Sequence, residues 1–218
     1  MIKAVIWDVD GTLISTKDLY LECYRRALEP YVGKLLTDDE MLAMRPQSEL
    51  YMLRTHSGDD FEACMTSFAR HYDELHSTYF GGVYDGVADV LQALRAQRIR
   101  NAIVTGKSRK SWEITLAQTQ LGDFEVVIAD DDVAHPKPDP EGILAALDSM
   151  AVHPRDAIYV GDSPGDMEAA QAARTQAAAA MWSKNDMWRN RFLQRTRGMN
   201  GIVHLERPHD LLQLIGAD

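Results

Sequence analysis

Five short apolar runs constrain this chain more than any other feature. They cover residues 4–7, 102–104, 126–129, 157–160 and 177–182. Each has the length of a strand, and none alternates apolar with polar residues. Strands covered on both faces of a parallel sheet read this way. Helical patterns lie beside them. Val87, Val90, Leu91 and Leu94 space as one helix face, and Trp112, Leu116 and Ala117 as another that stops at Gly122. Asp139-Pro140-Glu141 reads as an N-cap, a proline at the first helical position and an acidic first turn, opening a helix through Leu147. A further helix after Pro164 carries Met167 and Ala170. Alternating strands and helices predict an α/β fold built on a doubly wound parallel sheet.

The first two runs are separated by about ninety residues without a strand signal, far more than an ordinary crossover needs. Leu19, Tyr20, Cys23, Tyr24, Ala27 and Leu28 form a helical face, and Phe61, Cys64, Met65, Phe68, Tyr72, Leu75 and Tyr79 step by three or four. Thr37 and Glu40 make a capping box. Residues 15–82 are therefore expected to be a helical insertion, with 1–14 and 83–218 forming the Rossmann-like core. Gly11 on one side and Gly81-Gly82 on the other read either as hinges or as ordinary turns.

The chain has 218 residues, enough for one domain with an insertion. Its net charge of −10 argues against a nucleic-acid or anionic-membrane partner. It also means that an anionic substrate would need local cations or a metal. Cys23 and Cys64 are the only cysteines and fall on apolar helical positions, so neither a disulfide framework nor a cysteine zinc site is expected. No run is long and apolar enough to span a membrane and no signal pattern opens the chain, so a cytoplasmic protein, monomer or homodimer, is expected.

In an open α/β sheet, ligands bind outside the carboxyl ends of the strands. Asp8-Val-Asp10-Gly11-Thr12 follows the first run, and Thr105-Gly106-Lys107-Ser108 the second. The third is followed by Asp130–Asp132 and then by His135-Pro136-Lys137-Pro138, and the fourth by Gly161-Asp162 and then Asp166. Any one of these has an ordinary explanation: a strand-end Asp as a turn former, Asp166 as a helix cap, Lys137 as a solvated loop lysine. Their coincidence at successive strand ends does not. Several carboxylates on a low-dielectric rim need a cation, and hard oxygen donors suit Mg²⁺. Backbone N–H groups at Thr105-Gly106 and a lysine aimed by two prolines suit a phosphoryl group. Asp130–Asp132 is read as a solvated loop. The basic stretch 183–201, with Lys184, Arg189, Arg191, Arg195 and Arg197, is read as a solvated helix with Trp188 and Phe192 on the core.

Together these motifs resemble the haloacid dehalogenase-like superfamily, in order and in spacing, over residues 1–182. The helical insertion resembles the C1-type cap of that family. The resemblance implies that Asp8 is the nucleophile and a Mg²⁺ ligand. It implies that Asp10 is the general acid/base, binding the metal through its backbone carbonyl. Thr105, Gly106 and Lys137 would bind phosphate, Asp162 would ligate the metal, and Asp166 would support it from behind. An acid at position 10 fits phosphate esters, whose leaving alcohol needs a proton, better than halides, which leave without one. The implied function is a Mg²⁺-dependent phosphatase acting on a small phosphorylated metabolite. The nearest subfamily is that of the phosphoglycolate phosphatases, although the segments around Tyr84-Asp85-Gly86, 175–180 and 41–50 depart from it. Two alternatives are a sugar-phosphate mutase of the β-phosphoglucomutase type, which usually has Glu-Asp at Gly161-Asp162, and a non-catalytic regulatory member. In the insertion, Arg45 is the candidate cation for a second anionic group on the substrate.

Overall fold

The computed structural model describes residues 1–44 and 48–216. Its six strands are β1 (Ala4–Trp7), β2 (Arg100–Val104), β3 (Val126–Ile128), β4 (Ala157–Gly161), β5 (Gln176–Ala180) and β6 (Ile202–Leu205). They form one sheet in the order β3-β2-β1-β4-β5-β6, and every neighbouring pair is parallel. The order turns at β1, which lies between β2 and β4. The crevice at the carboxyl ends of β1 and β4 is thus the place where such a sheet binds ligands.

Residues along each strand divide between the two faces. Ala4, Ile6, Ala177 and Ala179 enter one core, while Val5, Trp7, Ala178 and Ala180 enter the other. Both faces are covered, which is why the runs are continuously apolar. Helices α7 (Glu141–Ser149), α8 (Pro164–Ala172) and α9 (Asp186–Arg195) cover the first face. Helices α5 (Val87–Ala96), α6 (Arg109–Gln118) and α10 (Asp210–Ile215) cover the second.

Some local expectations shift. The fifth run forms a strand only to Ala180, and Met181 and Trp182 lie beyond it. Strand β6 was not expected: Ile202 and Val203 are half-buried at the sheet edge and His204 is exposed, so the run is short and broken. Helix α7 begins one residue later than predicted, at Glu141, whose N–H donates to Asp139 Oδ1 at 2.9 Å. Helix α6 ends at Gln118, and its Leu116 is 41% exposed. The buried face of that helix is instead Ser111, Trp112, Ile114 and Thr115, partly polar because it meets the inserted helices.

Those helices are α1 (Lys17–Val32), α2 (Asp38–Ala43), α3 (Glu49–Ser57) and α4 (Phe61–Tyr79), all between β1 and α5. Leu19, Cys23 and Ala27 of α1 pack with Cys64, Phe68 and Tyr72 of α4 in a third apolar cluster. Their packing follows the three-and-four spacing of both helices. The box before α2 is formed: Glu40 N–H donates to Thr37 Oγ1 at 3.3 Å, and Thr37 N–H to Glu40 Oε2 at 2.9 Å. The chain leaves and re-enters the sheet layer through two adjacent strands of backbone. Ser15 N–H donates to Gly82 O at 2.9 Å, and Gly81 N–H to Ser15 O at 2.8 Å. A Cβ on Gly81 would lie 2.6 Å from Ser15 Oγ, so this crossing requires a glycine. Among the described residues no helix is long and apolar enough to cross a membrane.

Candidate active site

Two strand ends bring the first carboxylates together. Asp8 follows β1, and its N–H donates to Val160 O of β4 at 2.8 Å. Asp162 follows β4. Gly11 has φ +76, and a Cβ there would lie 2.6 Å from Asp162 Oδ2. The absence of a side chain at position 11 is therefore what lets the turn after Asp8 close against Asp162.

Lys137 reaches this rim from the loop between β3 and α7. Its Nζ donates to Asp8 Oδ1 and to Asp166 Oδ1, both at 2.7 Å, and lies 3.0 Å from the Tyr159 hydroxyl. Asp166 sits at the third position of α8 and serves there as a cap as well. Its Oδ2 accepts from Ser163 N–H at 2.8 Å and from Ser163 Oγ at 2.7 Å. The cap reading of Asp166 is thus realised, and the same carboxylate also binds Lys137.

One ammonium cannot fully compensate two buried carboxylates, and the local donors decide which stays charged. Burial opposes the charge on Asp166, but Lys137 and the Ser163 donors outweigh it and hold this carboxyl below its ordinary value. Asp8 has no such extra donors. Burial, reinforced by Asp166, Asp162 and Asp10, pushes it up to about 8 against the pull of Lys137. Burial also raises Asp162, with Lys184 partly offsetting it. Lys137 is itself held well above its usual value: burial works against its charge, and Asp166 and Asp8 more than restore it. Asp8, Asp162 and Asp166 each offer a carboxylate oxygen within 4.8 Å of the others. Hard oxygen donors crowded this closely, two of them raised by burial and mutual repulsion, fit a divalent cation of the Mg²⁺ type.

Asp10 points elsewhere. Its Oδ1 accepts from Thr16 Oγ1 at 2.5 Å and from Lys107 Nζ at 2.7 Å. Its side chain is therefore outside the carboxylate cluster. Thr105 is buried beyond β2, and its Oγ1 accepts from Lys107 N–H at 3.2 Å. Contrary to the expectation that Thr105-Gly106 heads a helix, α6 begins only at Arg109. The N-cap is Ser108, whose Oγ accepts from Ser111 N–H at 3.2 Å. Arg45 lies outside the described residues.

Sequence reasoning missed two lysines. Lys107, quoted only as part of a strand-end motif, is fully buried against Asp10. Lys184, assigned to the solvated basic stretch, has a side chain only 6% exposed and donates to Asp162 Oδ2 at 2.9 Å. A usable signal existed for both, since each follows an apolar run and so belongs to the same rim. Asp130 is likewise not solvated: it is buried, and its Oδ2 accepts from Leu50 N–H of the inserted α3 at 3.0 Å. Glu49 and Tyr20, also buried or half-buried at the seam between insertion and sheet layer, had no sequence signal.

The chain belongs to the haloacid dehalogenase-like hydrolases, whose family profile matches residues 5–180. Within that class it is a phosphatase. It is 33% identical to the pyrophosphatase PpaX of Bacillus velezensis over 220 residues, covering 99% of this chain and 97% of that protein. Its fold is similar to a Lactobacillus plantarum structure provisionally described as a phosphoglycolate phosphatase, with a TM-score of 0.80, 24% identity, and 98% and 99% of the two chains covered. It is also similar to a Thermotoga maritima structure provisionally described as a β-phosphoglucomutase, with a TM-score of 0.72, 28% identity and 99% of both chains covered.

Proposed function

We propose that the protein is a Mg²⁺-dependent phosphatase of small phosphorylated compounds, working through an aspartyl-phosphate on Asp8. The observation that carries this reading is the meeting of Asp8, Lys137, Asp162 and Asp166 at the turn of the sheet order. A bound Mg²⁺ would neutralise the carboxylates and draw charge from the phosphoryl oxygens. Asp8 and Asp162 are the proposed side-chain ligands. Both oxygens of Asp166 are already engaged by Lys137, Tyr159 and Ser163, which suits a supporting role. The backbone carbonyl of Asp10 completes the proposed set.

In this mechanism Asp8 attacks phosphorus and Asp10 protonates the departing oxygen. Asp10 then takes a proton from the water that hydrolyses the acyl phosphate. Thr105, Gly106 and Lys137 hold the transferring phosphoryl group. Residues 15–82 act as a cap over the core formed by 1–14 and 83–218, and Arg45 is the proposed cation for a second anionic group of the substrate. The acidity of the chain as a whole is no obstacle. Asp8, Asp10, Asp162 and Asp166 meet three buried or half-buried ammonium groups on Lys107, Lys137 and Lys184. A divalent cation would add two positive charges beside these seven groups. Cys23 and Cys64 are buried free thiols, and a cytoplasmic compartment is part of this proposal.

Similarity to PpaX makes inorganic pyrophosphate the first substrate to assay. A mutase reading fares poorly at Gly161, where a Cβ would lie 2.5 Å from Asp166 Cβ, so the Glu of that family has no room. The test is phosphate release from p-nitrophenyl phosphate, pyrophosphate and a panel of phosphorylated metabolites, with and without Mg²⁺. Release by the wild type but not by Asp8→Asn supports the reading, and no release from any of them would overturn it.

A further inference from the structure

The seam between the inserted helices and the sheet layer contains a buried acid that the proposed chemistry does not use. Glu49 is the first residue of α3 and is 3% exposed. Its Oε1 accepts from Ser108 Oγ at 2.5 Å and from Ser111 Oγ at 2.9 Å, both at the start of α6. Its Oε2 accepts from the Tyr20 hydroxyl of α1 at 2.8 Å. The backbone joins in: Glu49 N–H donates to Gly106 O at 2.9 Å, and Leu50 N–H to Asp130 Oδ2 at 3.0 Å. One cap segment therefore grips the loop after β2, the head of α6 and the loop after β3.

The Tyr20 hydroxyl carries the contact further. While donating to Glu49, it accepts from Lys107 Nζ at 3.0 Å, and Lys107 donates in turn to Asp10 Oδ1 at 2.7 Å. The ammonium also lies 4.4 Å from the Tyr20 ring centre and 4.8 Å from that of Tyr72, so two cap rings enclose it. A carboxylate this deeply buried is costly, and burial raises its pKa against the pull of its donors. An apolar residue would close a purely structural seam at lower cost.

We infer that Glu49 is a positioning residue: seating the cap places Glu49 on α6, and through the Tyr20 hydroxyl this fixes Lys107 against Asp10, so cap closure and acid/base geometry are set together. The inference rests on the roles proposed above for Asp10 and for the inserted helices as a cap. It separates two functions of Glu49. The serine and backbone contacts latch the cap, and the tyrosine contact relays its position to Asp10.

Tyr20→Phe removes the relay and leaves the latch, whereas Glu49→Ala removes both. The probe is p-nitrophenyl phosphate with Mg²⁺. Its leaving group needs little protonation, so turnover reports water activation by Asp10. Hydrogen exchange at the amides of residues 49 and 50 reports the latch without reference to activity. Glu49→Ala should raise that exchange about tenfold and lower kcat by about 10- to 100-fold, the range of a lost hydrogen bond to a charged group, with KM within about twofold. Tyr20→Phe should lower kcat by about tenfold with exchange unchanged. The double variant should be no slower than Glu49→Ala by more than about twofold, since both changes break one chain of contacts. Tyr20→Phe keeps the ring and its packing, so it decides the matter even if Glu49→Ala does not fold. A wild-type kcat in Tyr20→Phe, or a loss seen only in KM, overturns the inference while leaving the phosphatase reading intact. A wild type that hydrolyses nothing overturns that reading instead.

Discussion

Asp8 and Lys137 stand 129 residues apart in the chain and meet at 2.7 Å on the rim of the sheet. The same ammonium serves Asp166 at the same distance, so Asp8 receives only part of its charge. This sharing has a consequence for stability. In the unfolded chain Asp8 titrates near 3.8, and in the fold it is pushed up to about 8. Between these values the folded state holds a proton that the unfolded state has released. Without metal, the contribution of Asp8 to stability is therefore lost as pH rises from about 4 to 8. In chelator, urea midpoints should fall for the wild type between pH 5 and pH 8 relative to Asp8→Asn, which has no proton to lose there. Parallel midpoints for the two proteins would contradict the raised Asp8.

Removing the shared cation should be costly in its own right. Lys137→Met leaves Asp8 and Asp166 buried without their common partner. Breaking a buried pair on one side typically costs about 3–5 kcal/mol. Thermal and urea unfolding of metal-free protein would measure the loss, and a change under about 1 kcal/mol would show that the two carboxylates find other compensation.

Activity is expected to depend on Mg²⁺, because Asp8, Asp162 and Asp166 crowd their oxygens within 4.8 Å. Chelator should abolish phosphate release from p-nitrophenyl phosphate, and added Mg²⁺ should restore it. Undiminished turnover after exhaustive chelation would remove the metal from the mechanism.

The two aspartates after β1 should fail differently. Asp8→Asn deletes the nucleophile and should silence every substrate. Asp10→Asn deletes the proton donor, whose help is typically worth about 10²–10⁴-fold. Its loss should be larger for alkyl than for aryl phosphates, since an alkoxide leaves poorly without a proton. Measured kcat/KM for one ester of each kind settles this, and equal losses would argue against the acid role.

Arg45 offers a check on the substrate. If it faces a second anionic group, Arg45→Ala should lower kcat/KM for pyrophosphate by the value of a charge-assisted contact, about 1.5–3 kcal/mol. Turnover of p-nitrophenyl phosphate should change little. Equal effects on both, or none, would place the specificity residues elsewhere in 15–82.

The local chemistry of this protein was legible in the chain itself. Short continuous apolar runs bounded by turn residues read as strands covered on both faces, and β1 and β4 follow that reading. Because ligands gather at the carboxyl ends of such strands, the same reading singled out Asp8, Thr105, Lys137 and Asp162 as candidates. Strand β6 escaped because an edge strand needs little apolar surface. What the tertiary structure alone decided is which charged groups pair. The apolar runs before them put Lys107 and Lys184 on the rim, but only the fold buries them on Asp10 and Asp162. Glu49 and Tyr20 come from different helices of the insertion, and Glu49 meets Ser108 only when the insertion sits on α6. Apolar periodicity is a local property, repeated every two or three and a half residues, so a chain displays it. An ion pair across 22 or 97 residues depends on how the layers are stacked, and no local pattern encodes it.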